Sequence, residues 1–374
     1  MTNTATAIAF SEEQAMLLET AESYCRDKAQ MDAVRALIET DRGFDDAVWR
    51  EMGELGWLGI AIPEEFGGSG LGLSEVVAIV EPMGQRLLDS PFISTILAAQ
   101  TLITGGTSGQ QRQWLPRIAE GMAATVALFE NNGDWDLNNV TCSAEMIGDN
   151  LLLSGEKSFV ANALEAELFI VSLQYYGATS LVLVERSALS DENFDRETVM
   201  DETRRSYRVD FTGVTIPVAN LLDQKLAARA LRRLDLVACL LNAAESCGGT
   251  LGALQYTVDY LNTRLQFERF IGSYQALKHP TVDVLLGYDA SRSLLYHAAT
   301  VFETADGEAA TRMAKAKAND TFAFAGDRAV QFHGAFGFTY DCDAQLYLRR
   351  ALWNQTQHGD PAYQRRLLQP LLLD

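Results

Sequence analysis

The segment Tyr207–Ile216, YRVDFTGVTI, decides the fold class, because it interrupts a chain that is otherwise patterned for helices. Hydrophobic residues within it alternate with polar ones around a bulge or kink, which is the period of a half-buried strand. Similar short β-rich runs, separated by turn residues, precede it at Thr125–Phe129, Leu151–Leu153, Leu168–Leu173 and Leu181–Val184. Several short strands within about 100 residues predict an antiparallel sheet or small barrel.

Helical patterns lie on both sides of this β-rich region. Near the start, Ser11 and Gln14 have the spacing of a capping box, which marks the beginning of a helix. Toward the end, small residues recur at helical spacing, which permits the close helix–helix approach of an antiparallel bundle. These small residues are Ala314, Ala318, Thr321, Ala325 and Ala329.

The length of the chain agrees with an organisation in several parts. Its 374 residues exceed the roughly 250–300 at which a single core stops growing. We therefore predict a mainly α protein with a central β domain. The predicted parts are an N-terminal helical domain at residues 1–121, an antiparallel β barrel or sheet at residues 122–223, and a C-terminal four-helix bundle at residues 224–374.

Charge and cysteine content argue against several classes of function. The formal net charge of −20 disfavours binding to nucleic acid or to an anionic membrane surface. The five cysteines include no CxxC pair and no Cys/His cluster at zinc spacing, so we predict reduced thiols and no metal site. No run approaches the roughly 18–20 apolar residues of a membrane span, and Met1–Phe10 lacks the features of a signal peptide. We therefore expect a cytoplasmic protein.

Six short strings carry the clearest functional signal. In chain order they are LGWLGIAIPEEFGGSGLG at Leu55–Gly72, QQRQWLPRIAEG at Gln110–Gly121, LLLSGEK at Leu151–Lys157, VDFTGVTIP at Val209–Pro217, TRLQF followed by IGSYQ at Thr263–Gln275, and QFHGAFGFT at Gln331–Thr339. Together they resemble the acyl-CoA dehydrogenase family over nearly the whole chain. The family fold is a helical domain, a β domain and a C-terminal four-helix bundle, in agreement with the pattern above.

The resemblance implies a flavin-dependent oxidation of an acyl-CoA thioester to the 2-enoyl-CoA. In this family a carboxylate removes the α-proton while the β-hydrogen passes as hydride to FAD, and hydrogen bonds to the thioester carbonyl stabilise the developing charge. FAD is shared between two subunits: the β domain of one holds the flavin ring, and the bundle of the other holds the nucleotide tail. The resemblance also implies electron-transfer flavoprotein as a possible electron acceptor.

The resemblance implies a retained site for the nucleotide tail. Its residues would be Arg264, Gln266, Phe267, Gln331, Gly334 and Gly337. Arg264 would donate to a phosphate, and the glycines would let the backbone approach the pyrophosphate. Two departures weaken the motif, because Glu268 and Ala335 stand where glycine is usual. The alternative is that Arg264 is a solvated helix residue and the glycines form an ordinary interhelical turn.

The flavin-ring site departs further from the family pattern. Phe129 stands where a threonine hydroxyl is usual, and Ala161 replaces a second such threonine. Phe159 retains the aromatic residue of the same motif. Each lost hydrogen bond typically costs on the order of 1 kcal/mol. We therefore expect this chain to hold a flavin ring poorly.

The usual catalytic glutamate is absent from both of its family positions. One position falls at His358, which is either a base at neutral pH or an ordinary loop residue. The other falls at Asn242, and Glu245 follows nearly one turn later on a similar face. A carboxylate in such apolar surroundings needs a partner or a raised pKa, so Glu245 is either a candidate base or part of a structural ion pair.

Three functional hypotheses follow. We favour the partner subunit of a heteromeric, two-gene acyl-CoA dehydrogenase, because the motifs for the nucleotide tail are kept while those for the flavin ring are eroded. The resemblance is to members that act on bulky steroid-derived CoA thioesters and divide the cofactor site between unlike chains. The second is a self-sufficient homo-oligomeric enzyme that uses Glu245 as base. The third is a flavin-free binding or assembly protein on the same fold, since fold alone does not establish function.

Overall fold

A computed structural model describes residues 11–373 as two compact units. One unit contains the residues up to Ala36 together with Leu73–Leu88 and the residues from Cys239 onward. The other contains Leu37–Gly72 and Asp89–Ala238. The segment Met1–Phe10, on which the expectation of no signal peptide depends, lies outside the described residues.

Helices occupy both ends of the described chain, with strands between them. The helices are α1 (Glu12–Lys28), α2 (Met31–Ile38), α3 (Asp46–Glu54), α4 (Leu73–Gln85), α5 (Phe92–Gly105), α6 (Ser108–Ala119), α7 (Ala227–Thr263), α8 (Gln275–Val301), α9 (Gly307–Phe332), α10 (Ala344–Thr356) and α11 (Pro361–Leu373). The strands are β1 (Ala124–Ala127), β2 (Ser143–Ile147), β3 (Asn150–Ser154), β4 (Glu156–Ala161), β5 (Leu168–Tyr175), β6 (Ala178–Glu185), β7 (Phe194–Arg196), β8 (Ser206–Asp210), β9 (Thr215–Pro217), β10 (Leu265–Gln266) and β11 (Arg269–Phe270). The predicted fold class is confirmed, and the predicted domain boundaries stay predictions.

The first unit consists of packed helices. The predicted capping box begins α1, where the Ser11 hydroxyl accepts from the Gln14 N–H at 3.1 Å and the Gln14 side chain accepts from the Ser11 N–H at 3.2 Å. Helices α9 and α10 approach closely at Gly326, since a Cβ there would lie 2.8 Å from the Leu348 Cα. Gly249 of α7 likewise leaves room for the Phe322 ring. Of the small residues predicted on α9, Thr321 lies close to α8, since a Cβ at Gly287 would be 2.8 Å from its Cγ2.

A buried carboxylate joins α4 to α8 within this unit. Glu81 accepts hydrogen bonds from the Arg292 Nε at 2.6 Å, from the Tyr288 hydroxyl at 3.3 Å and from the Tyr296 hydroxyl. These three partners lie on one face of α8, at intervals of four residues. The charge of Glu81 is thus fully compensated, which a carboxylate needs in an apolar interior.

The second unit is built on two β-sheets. The larger has the order β1-β5-β2-β3-β9 with β6 also paired to β5, and the smaller has the order β4-β8-β7. Most pairs are antiparallel, as predicted, but β5 runs parallel to β1 and, at Ser143 and Gln174, to β2. Parallel pairing of β1 with β5 is possible because about 40 residues of chain separate them, enough for a crossover connection.

The segment Tyr207–Ile216 divides between these two sheets. Gly213 adopts a left-handed φ of +84° and turns the chain between β8 and β9. Strand β8 then pairs with β4 in the smaller sheet, while β9 pairs with β3 in the larger. The kink predicted from the sequence is therefore the point where the chain passes from one sheet to the other.

Helix α7 is the element whose composition comes nearest to that of a membrane span. Among residues 11–373, it alone is long and apolar enough to cross a bilayer by length and composition. However, 89% of its most apolar window is buried within the protein. It therefore has the character of a core helix.

Candidate functional site

The first part of the candidate site is a short hairpin that follows α7. Because α7 ends at Thr263 and β10 begins at Leu265, Arg264 lies between them and not inside a helix. The hairpin pairs β10 with β11, and the Arg264 carbonyl accepts from the Ile271 N–H at 2.9 Å. Arg264 and Gln266 are exposed, and the Phe267 side chain is 87% exposed at the tip. These side chains are thus available to a ligand.

The turn of this hairpin carries backbone strain. Phe267 and Glu268 have φ values of +52° and +64°, which a two-residue turn of this kind requires at both central positions. Glycine is favoured at the second position, where the family has it, because a side chain in the left-handed region costs roughly 1–2 kcal/mol. Glu268 therefore occupies a position for which glycine is the less strained residue.

The second part is the connection between α9 and α10, residues 333–343, which we call the 333–343 loop. A small cluster of Leu261, Ile271 and Phe332 packs the base of the hairpin against the end of α9. The hairpin and the 333–343 loop therefore belong to one face of this unit. Gln331, which precedes the loop, is exposed on α9.

The two glycines of the loop serve different purposes. Gly334 has a left-handed φ of +65°, and a Cβ added there would meet no heavy atom of the described residues within 4 Å. Its backbone is therefore open to close approach by a ligand. Gly337 instead packs against α9, since its Cβ would lie 2.1 Å from the Val330 carbonyl oxygen. Packing against α9 therefore requires glycine at position 337, and contact of Gly337 with the pyrophosphate stays a prediction.

The residues aligned with the flavin-ring site lie in the second unit. Strand β1 ends at Ala127, so Phe129 lies just beyond it and not within it as predicted. The Phe129 carbonyl accepts from the Ser158 N–H at 2.9 Å. The Ala161 carbonyl accepts from the Thr125 hydroxyl at 2.7 Å. Because Thr125 is fully buried, its hydroxyl does not replace the two that are missing at Phe129 and Ala161.

Phe159 occupies a bulge in β4. The pairing register shifts between Lys157 and Val160, and Phe159 adopts a φ of +57° with its side chain 42% exposed. Its N–H donates to a carboxylate oxygen of Glu197 at 3.0 Å, and the Ser206 hydroxyl donates to the same oxygen at 2.7 Å. A strained aromatic residue displayed on a braced bulge is a feature found at ligand sites.

A buried ion pair that no local sequence pattern indicates supports this region. The ammonium of Lys157, which is fully buried, donates to Glu130 at 2.9 Å, to the Leu128 carbonyl at 3.1 Å and to the Ser172 hydroxyl at 3.1 Å. Burial acts to raise the pKa of Glu130. Hydrogen bonds from the Thr141 side chain, the Cys142 N–H and Lys157 outweigh burial and lower that pKa to about 2. The pair therefore stays charged and fixes the chain on either side of Phe129.

The two candidate bases lie in the first unit and have different surroundings. Glu245 is buried and accepts from the Arg350 guanidinium at 2.9 Å, and Arg350 is itself fully buried. This geometry favours the structural alternative for Glu245, and its catalytic role stays a prediction. Asn242, at the family position for the base, donates to the Asn354 carbonyl at 3.3 Å.

His358 lies in a tight connection between α10 and α11. It is half-buried and has a φ of +53°, while its carbonyl accepts from the Gln364 side chain at 2.5 Å. Gly359, which follows it, has a φ of +88°, and a Cβ there would lie 2.3 Å from the Tyr363 ring. The chain therefore holds His358 in a defined loop, and its role as a base stays a prediction.

Comparison with known proteins decides the family. Residues 11–122 match the model for the acyl-CoA dehydrogenase N-terminal domain, and residues 230–372 match the model for the C-terminal domain. The protein acyl-CoA dehydrogenase IpdE2 of Mycobacterium tuberculosis is 31% identical over 343 residues, covering 91% of each chain. This chain belongs to the acyl-CoA dehydrogenase family. IpdE2 of Mycolicibacterium smegmatis is 29% identical over 361 residues, covering 96% of this chain and 98% of that protein.

Solved structures of the acyl-CoA dehydrogenase family extend the comparison to the fold. A variant of the Tcur3481-Tcur3483 steroid ACAD superimposes with a TM-score of 0.86 at 28% identity, covering 96% of this chain and 98% of that one. The helix–sheet–helix order described above is therefore the acyl-CoA dehydrogenase fold. Membership of the family supports FAD as the cofactor.

The residues present fit one end of FAD better than the other. At the nucleotide end, the exposed cation of Arg264, the exposed Phe267 ring and the open backbone of Gly334 suit phosphate and adenine. At the ring end, Phe129 and Ala161 provide no hydroxyl, although Phe159 offers an aromatic surface. The fit thus supports contact with the nucleotide tail more strongly than with the flavin ring.

Proposed function

We propose that this acyl-CoA dehydrogenase is the partner subunit of a heteromeric enzyme that introduces a double bond into an acyl-CoA thioester. The observation that carries the proposal is the imbalance between the two ends of the FAD site. Arg264, Phe267 and Gly334 remain suited to the nucleotide tail, whereas Phe129 and Ala161 lack the hydroxyls of the ring site. A chain of this kind completes a cofactor site whose ring lies on a neighbouring subunit.

Exposed apolar side chains beside the nucleotide end support assembly with another chain. Phe267 and Phe338 are 87% and 73% exposed, and Leu265, Phe270 and Phe336 are also exposed. Soluble proteins rarely leave several large apolar side chains exposed together unless the surface binds a partner. Because these residues belong to the hairpin and the 333–343 loop, the partner would cover the surface next to the cofactor tail.

Within such a complex the residues of this chain have defined tasks. Arg264 would hold a phosphate by charge-assisted hydrogen bonds, and Gly334 would allow backbone donors to approach it. When bound, FAD accepts the hydride that leaves the β-carbon of the acyl group. Since Glu245 is engaged by Arg350, we propose that the partner supplies the carboxylate that removes the α-proton.

A similar solved structure supports a proposal for the substrate class. One similar solved structure is described as a steroid ACAD, so we propose a bulky, ring-bearing acyl group for this chain. We propose electron-transfer flavoprotein as the electron acceptor, and a cytoplasmic location, on the family resemblance.

The decisive experiment compares the chain alone with the chain co-expressed with a neighbouring acyl-CoA dehydrogenase gene. We expect no flavin absorbance for the purified chain alone, and flavin absorbance with dehydrogenase activity for the complex. Arg264→Gln in this chain should weaken FAD retention by the complex about tenfold, the equivalent of one lost charged hydrogen bond. Arg366→Gln, an exposed arginine on α11, is the matched control and should change nothing. A yellow, active protein in the absence of a partner contradicts the proposal.

A further inference from the structure

The 333–343 loop is held at its beginning by a stack of aromatic rings. The His333 imidazole is buried between Tyr260 and Tyr256 of α7, with ring centroids 4.1 Å and 4.8 Å away. Its Nδ1 lies 2.7 Å from the Ala329 carbonyl, so Nδ1 carries the proton and donates. Burial lowers the pKa of His333, so the ring is neutral at neutral pH. The first residue of the loop is therefore fixed immediately before Gly334.

The other end of the loop is held by an arginine from a distant part of the sequence. Arg35 of α2 donates through Nε and Nη2 to one carboxylate oxygen of Asp343, at 2.8 Å and 2.6 Å. Its Nη1 donates to the Tyr340 carbonyl at 2.7 Å. The guanidinium thus binds two points of the loop at once, and both side chains of the ion pair are about four-fifths buried. Such partly buried, charge-assisted bonds are stronger than surface pairs.

The geometry at the start of α10 shows that the carboxylate of Asp343 is committed to Arg35. Asp343 is the N-cap residue of α10, a position where aspartate normally accepts from the first backbone N–H groups of the helix. Its side chain makes no capping hydrogen bond. Its own N–H donates to the Tyr256 hydroxyl at 3.3 Å, so Tyr256 contacts both ends of the loop.

We infer that Arg35 is a positioning residue for the nucleotide tail of FAD. It holds the far end of the 333–343 loop at Tyr340 and Asp343, and thereby keeps the Gly334 backbone open to a phosphate. Because Phe336, Phe338 and Tyr340 are exposed, burial of these side chains restrains the loop little, and the contacts made by Arg35 supply that restraint. This inference rests on the proposed function, in which the nucleotide tail binds at Gly334 and Arg264.

The test uses the full chain in complex with its partner subunit and compares Arg35→Gln, Asp343→Asn and the double variant. We expect each single variant to raise the dissociation constant for FAD about tenfold, and the double variant to do no more than either one, since both remove the same contact. Arg35→Lys should rescue the affinity in part, because lysine retains the charge and lacks the planar fork that reaches Tyr340. Arg365→Gln, which breaks the exposed pair with Asp320, is the matched control.

A second readout needs no flavin. Hydrogen–deuterium exchange of peptides that cover residues 333–343 should be about tenfold faster in Arg35→Gln than in the unaltered chain or in Arg365→Gln. Unchanged exchange in the loop overturns the inference, and so does faster exchange with an unchanged dissociation constant for FAD. If the unaltered complex holds no FAD at all, the proposed function has failed, and the exchange measurement still judges the contact between Arg35 and the loop by itself.

Discussion

The buried pair of Glu245 and Arg350 gives the sharpest prediction, because its two interpretations have opposite consequences. Replacing Glu245 by Gln leaves the Arg350 guanidinium fully buried with one neutral acceptor in place of a carboxylate. Removing one partner of a buried ion pair typically costs about 3–5 kcal/mol. Since Gln keeps a hydrogen bond, we expect the lower end, about 3 kcal/mol.

This loss of stability can be measured as a change in melting temperature. With an unfolding entropy of about 2 cal/mol/K per residue over 374 residues, 3 kcal/mol corresponds to a fall in Tm of roughly 4 °C. Replacing both partners, as Glu245→Leu with Arg350→Met, should recover most of the loss, because a well-packed apolar pair substitutes for a buried ion pair at little cost. Differential scanning calorimetry of the three variants provides the measurement.

Turnover of the complex with its partner completes this test. If Glu245 is structural, the Glu245→Gln complex keeps its activity per bound flavin at temperatures well below its Tm. A variant whose Tm is unchanged and whose turnover is abolished would refute the structural interpretation and identify Glu245 as the base. The double variant further distinguishes the structural from the catalytic interpretation of Glu245, because it restores stability without restoring a carboxylate.

Three other substitutions test features of the fold and of the hairpin. Lys157→Met should lower the free energy of unfolding by about 3 kcal/mol, because Glu130 is left charged and buried, and urea unfolding measures this loss. Burial raises the pKa of Glu165 to about 7 despite Arg42, so its stabilising contribution is present below its unfolded pKa of about 4.5 and is lost as the pH rises through 7. Glu165→Gln should therefore raise Tm at pH 8 and change it little at pH 4.5. Glu268→Gly should add about 1 kcal/mol by relieving a left-handed side chain, and should strengthen FAD binding in the complex by removing a carboxylate beside the phosphate site.

Each of these three predictions has a matched control variant and a result that would contradict it. For Lys157, the exposed Lys225→Met should be neutral, and equal effects of the two would show that the buried pair is not stabilising. For Glu165, the exposed Glu167→Gln should show no comparable change between pH 4.5 and pH 8. For Glu268, replacement by Ala removes the carboxylate and keeps the strain. If Ala is as stabilising as Gly, the backbone argument is wrong.

Local features of the fold could be predicted from the sequence. The Ser11 capping box and the small residues of α9 are local signals, and the structure confirms both. The bulge or kink predicted within Tyr207–Ile216 is also present, at Gly213. However, alternation alone does not show that its two halves pair in different sheets, because pairing partners are a property of the whole chain.

The contacts that define the candidate site could be predicted less well from the sequence. Glu245 could be recognised as needing a partner, but Arg350 lies 105 residues away and no local pattern points to it. The same is true of Arg35 and Asp343, which are 308 residues apart. For Gly337 the structure adds a packing requirement against Val330 that the family motif did not indicate, and its contact with the cofactor stays a prediction. The identity of a residue shows which contacts it can make. Only the fold shows whether another residue of the same chain makes those contacts.

The turn at Gly213 has a consequence for how the second unit is made during translation. Strands β1 to β6 have all been synthesised by Glu185, yet β4 lacks its neighbour until β8 is made, and β3, already paired with β2, lacks its second neighbour until β9 is made. The smaller sheet cannot be completed before Asp210 leaves the ribosome, nor the larger one before Pro217 does. A nascent chain paused before β8 exposes unpaired edges of β3 and β4 simultaneously, and this is the interval in which a chaperone would protect it.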